Sequence, residues 1–107
     1  MKRAMLPLNA LRAFDAAARN LSFKNAADEL AVTPAAISQQ IRHLEDVLGR
    51  DLFYRSNRSL SLTPWGEKAM AEVGDAFAML ENAADVMKSW EPADEVAPAA
   101  NVYRLSA

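Results

Sequence analysis

The chain has 107 residues, 51% of them hydrophobic, with no cysteine, one histidine and a formal net charge of −2 at pH 7. Such a length suits one small domain, and the absence of cysteine together with a single His43 excludes disulfides, thiolate metal sites and a histidine-rich metal centre. No run approaches the roughly 18 apolar residues of a membrane helix, and Arg12 and Asp15 break the N-terminal stretch too early for a secretory signal, so a cytoplasmic protein is expected.

The charge is unevenly spread. Residues 1–65 hold nine Lys or Arg against six Asp or Glu, a net of +3, whereas residues 66–107 hold three against eight, a net of −5. A basic leading part suits phosphates, and an acidic rear suits solvent or protein.

Leu8, Leu11, Phe14 and Ala18 recur at helical spacing and predict a packing helix over Leu8–Arg19, ended by Asn20-Leu21. Arg12 and Arg19 fall on its outer side and can touch backbone phosphates, but exposed helix charges usually do nothing specific, and this helix is assigned no direct chemistry. Ser22 is placed to cap a second helix whose inner face is Ala26, Ala27 and Leu30. Thr33 caps a third, which opens on Pro34, where the missing N–H costs little. Only Ala31-Val32 joins the two, so they form a helix pair with a tight turn. In the third helix Ile37, Ile41, Leu44 and Leu48 line one face, leaving Ala35, Ser38, Gln39, Arg42 and His43 outward. A helix that needed only solvation would more often carry Glu and Lys there. Capped, short-turned pairs of this kind are the helix-turn-helix signature, and the alternative is a plain helical hairpin.

Gly49 stops the third helix. The two β-capable runs Asp51–Arg55 and Ser59–Thr63 flank Ser56-Asn57-Arg58 and predict a hairpin, with Leu52, Phe53, Leu60 and Leu62 shared between core and cover and with Arg55 and Arg58 near its tip. In a winged helix that tip lies over the minor groove, whose negative potential favours arginine.

Thr63-Pro64 repeats the cap-plus-proline start and launches the longest helix, Pro64 to about Trp90. Met70, Val73, Phe77, Leu80, Ala84 and Met87 form one apolar stripe, and Ala76, Met79, Ala83, Val86 and Trp90 form another one register back. That face is wider than one partner helix covers, which predicts a second chain. The polar side carries Glu72, Asp75, Glu81 and Asp85, so anionic lipid is a poor partner. Beyond Trp90 the composition is that of a linker or tail. The expected organisation is a DNA-binding domain over 1–63, a linker and dimerisation helix over 64–90 and a flexible tail over 91–107.

The segments NLSFKNAADELAVTPAAISQQIRHLEDVLGRDLFYR and RSLSLTPWGE resemble the LysR-type transcriptional regulators, and the likeness covers Leu6 to about Trp90. The elements that carry it are AA before a Leu, xxIS, QIxxLE, LG, LFxR and LTxxG. NLSF and NRSLSLT are similar to the branch that includes the glycine-cleavage activators. Two departures bear on base preference: Pro34 stands where many members have Gln, and Gln39 where they often have Arg or His. The resemblance implies a winged helix-turn-helix, a mostly α fold with a three-helix core and small hairpin wing, followed by a linker helix that pairs antiparallel with its twin. It implies a minor-groove role for Arg55. Such regulators normally add a larger effector-sensing region. No such region fits here, so no small-molecule effector site is expected, and NVYRLSA at Asn101–Ala107 is the only candidate for its first strand; the chain is either naturally short or part of a longer regulator.

The mechanism expected is binding of a pseudo-palindromic duplex site by a homodimer or a larger assembly. Thr33, Ser38 and Gln39 offer hydroxyl or amide groups to base edges, Arg42 suits guanine or phosphate, and Pro34, Ala35 and Ala36 suit a thymine methyl. Ser22 and Lys24 at the start of the second helix, with the wing arginines, would fix register through phosphates. A second reading is a protein-interaction module that forms mixed dimers with full-length relatives. No Ser-His-Asp set, Gly-rich phosphate loop or paired carboxylates can be drawn, so neither catalysis nor a cofactor is expected.

Overall fold

Helix caps and glycine set the boundaries of the fold. In the computed structural model, which describes residues 1–56 and 59–91, a single 3-10 turn over Arg3–Met5 leads into α1 (Leu8–Asn20), α2 (Phe23–Leu30) and α3 (Pro34–Leu48). The strands β1 (Phe53–Arg55) and β2 (Leu60–Leu62) follow, then α4 (Pro64–Ser89). Ser22 Oγ accepts from the Asn25 N–H at 3.0 Å and Thr33 Oγ1 from the Ala36 N–H at 3.1 Å, so both expected caps satisfy an otherwise orphaned donor. Each of the first three helices ends on a left-handed residue. Gly49 adopts φ 68° without cost, but Leu21 (φ 47°) and Ala31 (φ 56°) do so against the clash of their Cβ atoms.

The core lies where α1 meets α2 and α3. Ala10, Ala13, Phe14, Ala16, Ala17 and Ala18 of α1 are all buried, beside Ala26, Ala27, Ile37, Ile41 and Leu44. Alanine on two sides of α1 lets both neighbours approach closely, a use that a single apolar stripe does not anticipate. Leu8, at the first position of α1, is exposed, as is Leu48 at the last of α3, so both fall outside the inner faces expected for them. Glu45 is buried where an apolar residue would be the ordinary occupant.

The two strands pair antiparallel, Phe53 with Leu62, Tyr54 with Ser61 and Arg55 with Leu60. Phe53 turns inward against Phe14 (centroids 5.6 Å apart) and edge-on to Phe23 (6.0 Å), tying the hairpin to α1 and α2. Thr63 starts α4 by accepting from the Gly66 N–H at 3.0 Å while its hydroxyl donates to the Asp51 carbonyl at 2.6 Å. Gly66 has no alternative, because a Cβ there would stand 2.0 Å from the Leu52 carbonyl oxygen.

The chain divides into one unit over Met1–Asp75 and another that begins at Ala76. The first unit therefore runs past residue 63 and takes in the start of α4. Met70 and Val73, expected on a seam between chains, pack instead against the core of their own unit together with Ala69. Leu80 and Met87 of the second unit are exposed and Phe77 is half-buried. No helix among the described residues is long and apolar enough to cross a membrane. The expected tail from 92 onward lies outside the described residues.

Candidate nucleic-acid interface

The surface with the chemistry to read a base edge is the outer side of α3 near its start. Pro34, Ala35, Gln39, Gln40, Arg42 and His43 are exposed, and Ala36 and Ser38 are half-buried at the margin. Each of residues 35, 38, 39 and 42 has two of the others three or four positions away, so they occupy one face. There is no acidic residue in the first turn of α3, and none before Glu45. That face is thus uncharged or basic over its first three turns, with a helix N-terminus adding positive potential.

Ser22 and Thr33 are committed as cap acceptors, but each hydroxyl still has a proton to donate. Lys24 is exposed in the first turn of α2. Residues Leu6–Ala10, at the approach to α1, meet Gln39, Gln40 and His43 of α3 across an open groove of about 820 Å³. The groove continues the polar face of α3 toward the start of α1.

The arginines divide by what already holds them. Arg55 sends Nη2 to Glu45 Oε1 at 2.7 Å, and its guanidinium carbon stands 5.8 Å from the centre of the Phe23 ring. The other Glu45 oxygen, Oε2, accepts from the Leu52 N–H at 2.7 Å and the Phe53 N–H at 3.4 Å. Arg55 is therefore part of the joint between α3 and the hairpin, and its guanidinium is not free at the tip. Arg58 lies outside the described residues. Arg19 bridges α1 and α2: it pairs with Asp15 (3.1 Å) and with Glu29, which also accepts from Asn20. Hydrogen bonding to Glu29 raises the Arg19 guanidinium above its ordinary range, and the same bond holds the Glu29 carboxyl below its own. Arg12 is exposed with no carboxylate partner among the described residues.

Two features were not singled out from sequence. Glu45 sits with Ile37, Ile41 and Leu44 on the inward stripe, where a buried acid calls for donors to its carboxylate. Arg50 lies over Trp65, its guanidinium carbon 4.2 Å from the ring centre. No sequence spacing announces that contact, because it joins the end of α3 to the start of α4.

A model of the family described as "Bacterial regulatory helix-turn-helix protein, lysR family" matches residues 8–67. The glycine cleavage system transcriptional activator of Escherichia coli K12 is 54% identical over 83 residues, which make up 78% of this chain and 27% of that protein. The HTH-type transcriptional activator AmpR of Citrobacter koseri is 54% identical over 79 residues, 74% of this chain and 28% of its own length. The chain thus spans little more than a quarter of these relatives. Among solved structures, the BenM_DBD/benA site 1 DNA complex superposes with a TM-score of 0.70 at 31% identity, covering 76% of this chain and 91% of that one. Full-length OxyR C199D from Pseudomonas aeruginosa gives a TM-score of 0.72 at 27% identity, covering 78% and 28%.

Proposed function

The chain belongs to the lysR family of bacterial regulatory helix-turn-helix proteins, and on that footing we propose that it binds duplex DNA in a sequence-specific manner as a homodimer that regulates transcription. The observation that carries this reading is the acid-free outer face of α3, where Pro34, Ala35, Ser38, Gln39 and Arg42 stand together on a doubly capped helix. The start of α3 enters the major groove. Gln39 offers its amide to adenine N6 and N7, Arg42 reaches guanine or a phosphate, Thr33 and Ser38 offer hydroxyls, and Pro34 and Ala35 meet a thymine methyl. Lys24 and the Ser22 end of α2 hold backbone phosphates, which fix register without reading sequence.

Arg55, bound to Glu45, sets the wing in place beside the minor groove. Pairing through α4 gives the dimer two-fold symmetry and therefore a pseudo-palindromic site, its half-sites about one turn (roughly 34 Å) or a multiple apart. That the relative solved with a benA site is a DNA complex supports the choice of partner.

The test is selection of genomic fragments by the purified chain, followed by affinity measurements on the recovered sites across a salt series. Arg42→Ala should weaken binding about tenfold or more, and Gln39→Ala should relax preference at one base position by roughly 1–3 kcal/mol of discrimination. If neither change moves affinity or preference, α3 is not the reading element.

A further inference from the structure

Between α1, the end of α3 and the first turns of α4, the first unit encloses a cavity of about 250 Å³ whose wall is wholly apolar. Leu11 and Phe14 form one side of it, Leu44 and Leu48 another, and Ala69 and Val73 of α4 the third. We propose that this cavity binds a small cationic amphiphile, an aromatic or branched-alkyl amine of fragment size. Its apolar body fills the space, and its ammonium group meets Glu72 at the mouth.

The course of the chain before α1 leaves the space open. Around Pro7 it turns sharply, with the Leu8 N–H donating to the Leu6 carbonyl and the Leu11 N–H to the Pro7 carbonyl, each at 2.9 Å. Met1 and Leu6 are thereby laid over the cavity as a cover and not as a plug, Met1 being 71% and Leu6 41% exposed. Across from them α4 presents Ala69, whose methyl is too short to occupy the gap. The deep wall is fixed by the core, since Phe14, Leu44 and Leu52 are at most 2% exposed. Such a wall gives water none of the two to four polar partners it needs, and apolar hollows of this kind take up benzene-sized molecules instead. The volume lies just under the roughly 300 Å³ at which pockets for drug-sized ligands begin, which restricts the occupant to a single ring or a short branched chain.

Charge selects the class of ligand. Glu72 is the one ionisable side chain lining the cavity; with an apolar wall and an exposed residue, its methylene stem faces the cavity and its carboxylate faces solvent. It has no ion-pair partner among the described residues. Arg50 and Lys68 border the neighbouring hollow beside Trp65, where Arg50 lies over the ring at 4.2 Å, and neither reaches Glu72 within ion-pair distance. A carboxylate at the mouth attracts an ammonium head and repels an anionic one. Leu44 belongs to the inner stripe of α3, so the ligand and the DNA proposed above occupy different sides of that helix.

Titration of the full chain with phenethylamine in low salt, followed by NMR of the methyl groups, tests the site. Signals of Leu11, Leu44 and Val73 should shift saturably, with a dissociation constant of about 1 mM or tighter, as expected of a fragment. Phenethyl alcohol should bind about threefold more weakly, in line with one exposed ion pair, and hydrocinnamate more weakly still. Glu72 is exposed, so Glu72→Gln should keep the fold and erase the preference for the amine while leaving the alcohol unchanged. Ala69→Leu should fill the cavity and weaken all three ligands tenfold or more, with circular dichroism confirming that the variant is folded. No saturable shift at about ten times the expected constant overturns the site. Equal binding of amine, alcohol and acid, or an Ala69→Leu variant that is folded and binds as the parent does, overturns it as well.

Discussion

Arg55 and Arg19 each join two elements of the first unit through a carboxylate, yet their surroundings differ. Glu45, the partner of Arg55, is 6% exposed and has both oxygens engaged, one by the guanidinium and one by the N–H groups of Leu52 and Phe53. The side chains of Arg19 and Glu29 are 47% and 37% exposed, and water can replace each for the other. Identical chemistry therefore does two jobs. The joint between α3 and the wing depends on a specific acid, whereas the joint between α1 and α2 rests on buried alanines, with the surface pair as an accessory.

Removing the buried acid should give the largest effect. Glu45→Ala leaves two N–H groups and a guanidinium without their acceptor and should lower stability by about 3–5 kcal/mol in denaturant unfolding, with the wing loosened first in amide exchange. Glu45→Gln retains an acceptor and should lose less. Should both variants unfold like the parent, the wing is held by Phe53 packing and not by the acid.

Gly66→Ala probes the same joint one layer further on. The added methyl would meet the Leu52 carbonyl oxygen at 2.0 Å, so the residue leading into β1 must separate from α4, and a loss of about 2–3 kcal/mol is expected. Gly74, where a Cβ meets nothing within 4 Å, is the control, and there alanine should be neutral or stabilising.

How legible these features were in the sequence follows from their range. Ser22, Thr33, Thr63, Pro34, Pro64 and Gly49 act within a few residues of themselves, and each helix boundary they imply appears in the structure within a residue or two. The inner stripe of α3 was legible for the same reason at Ile37, Ile41 and Leu44, though Leu48 at the helix end is exposed. What required three dimensions was the competition for surface: which face of α4 the first unit claims, which arginines already have a partner, and why α1 uses alanine on two sides. Met70 and Phe77 look equivalent on a helical wheel, but only Met70 lies in the part of α4 that packs on the core. Of the candidate interface, the α3 face could be drawn from spacing alone, while the attachment of Arg55 to Glu45 and of Arg19 to Glu29 could not.

The turn between α2 and α3 offers a change in the opposite direction. Ala31 holds φ 56° with a Cβ that this region disfavours, and glycine would relieve it. Ala31→Gly should raise stability by up to about 1 kcal/mol, less the extra entropy of the unfolded chain. Thermal unfolding decides the sign, and a loss would mean that the Ala31 methyl makes a contact worth more than its backbone strain.

The smallest effect belongs to the exposed joint, and pH isolates it. Because the hydrogen bond from Arg19 holds the folded-state Glu29 carboxyl below its unfolded value, the contribution of the pair is fully present above the ordinary carboxylate range and fades as pH falls through the depressed value. Glu29→Gln should therefore cost well under 1 kcal/mol at neutral pH in low salt, and still less at high ionic strength, where an exposed pair is screened. As the pH is lowered toward 3, the stability curves of parent and variant should converge. A difference that persisted undiminished in acid and in salt would show that Glu29 acts through packing or its contact with Asn20 and not through charge, and the contrast between the two joints would then lie in position alone.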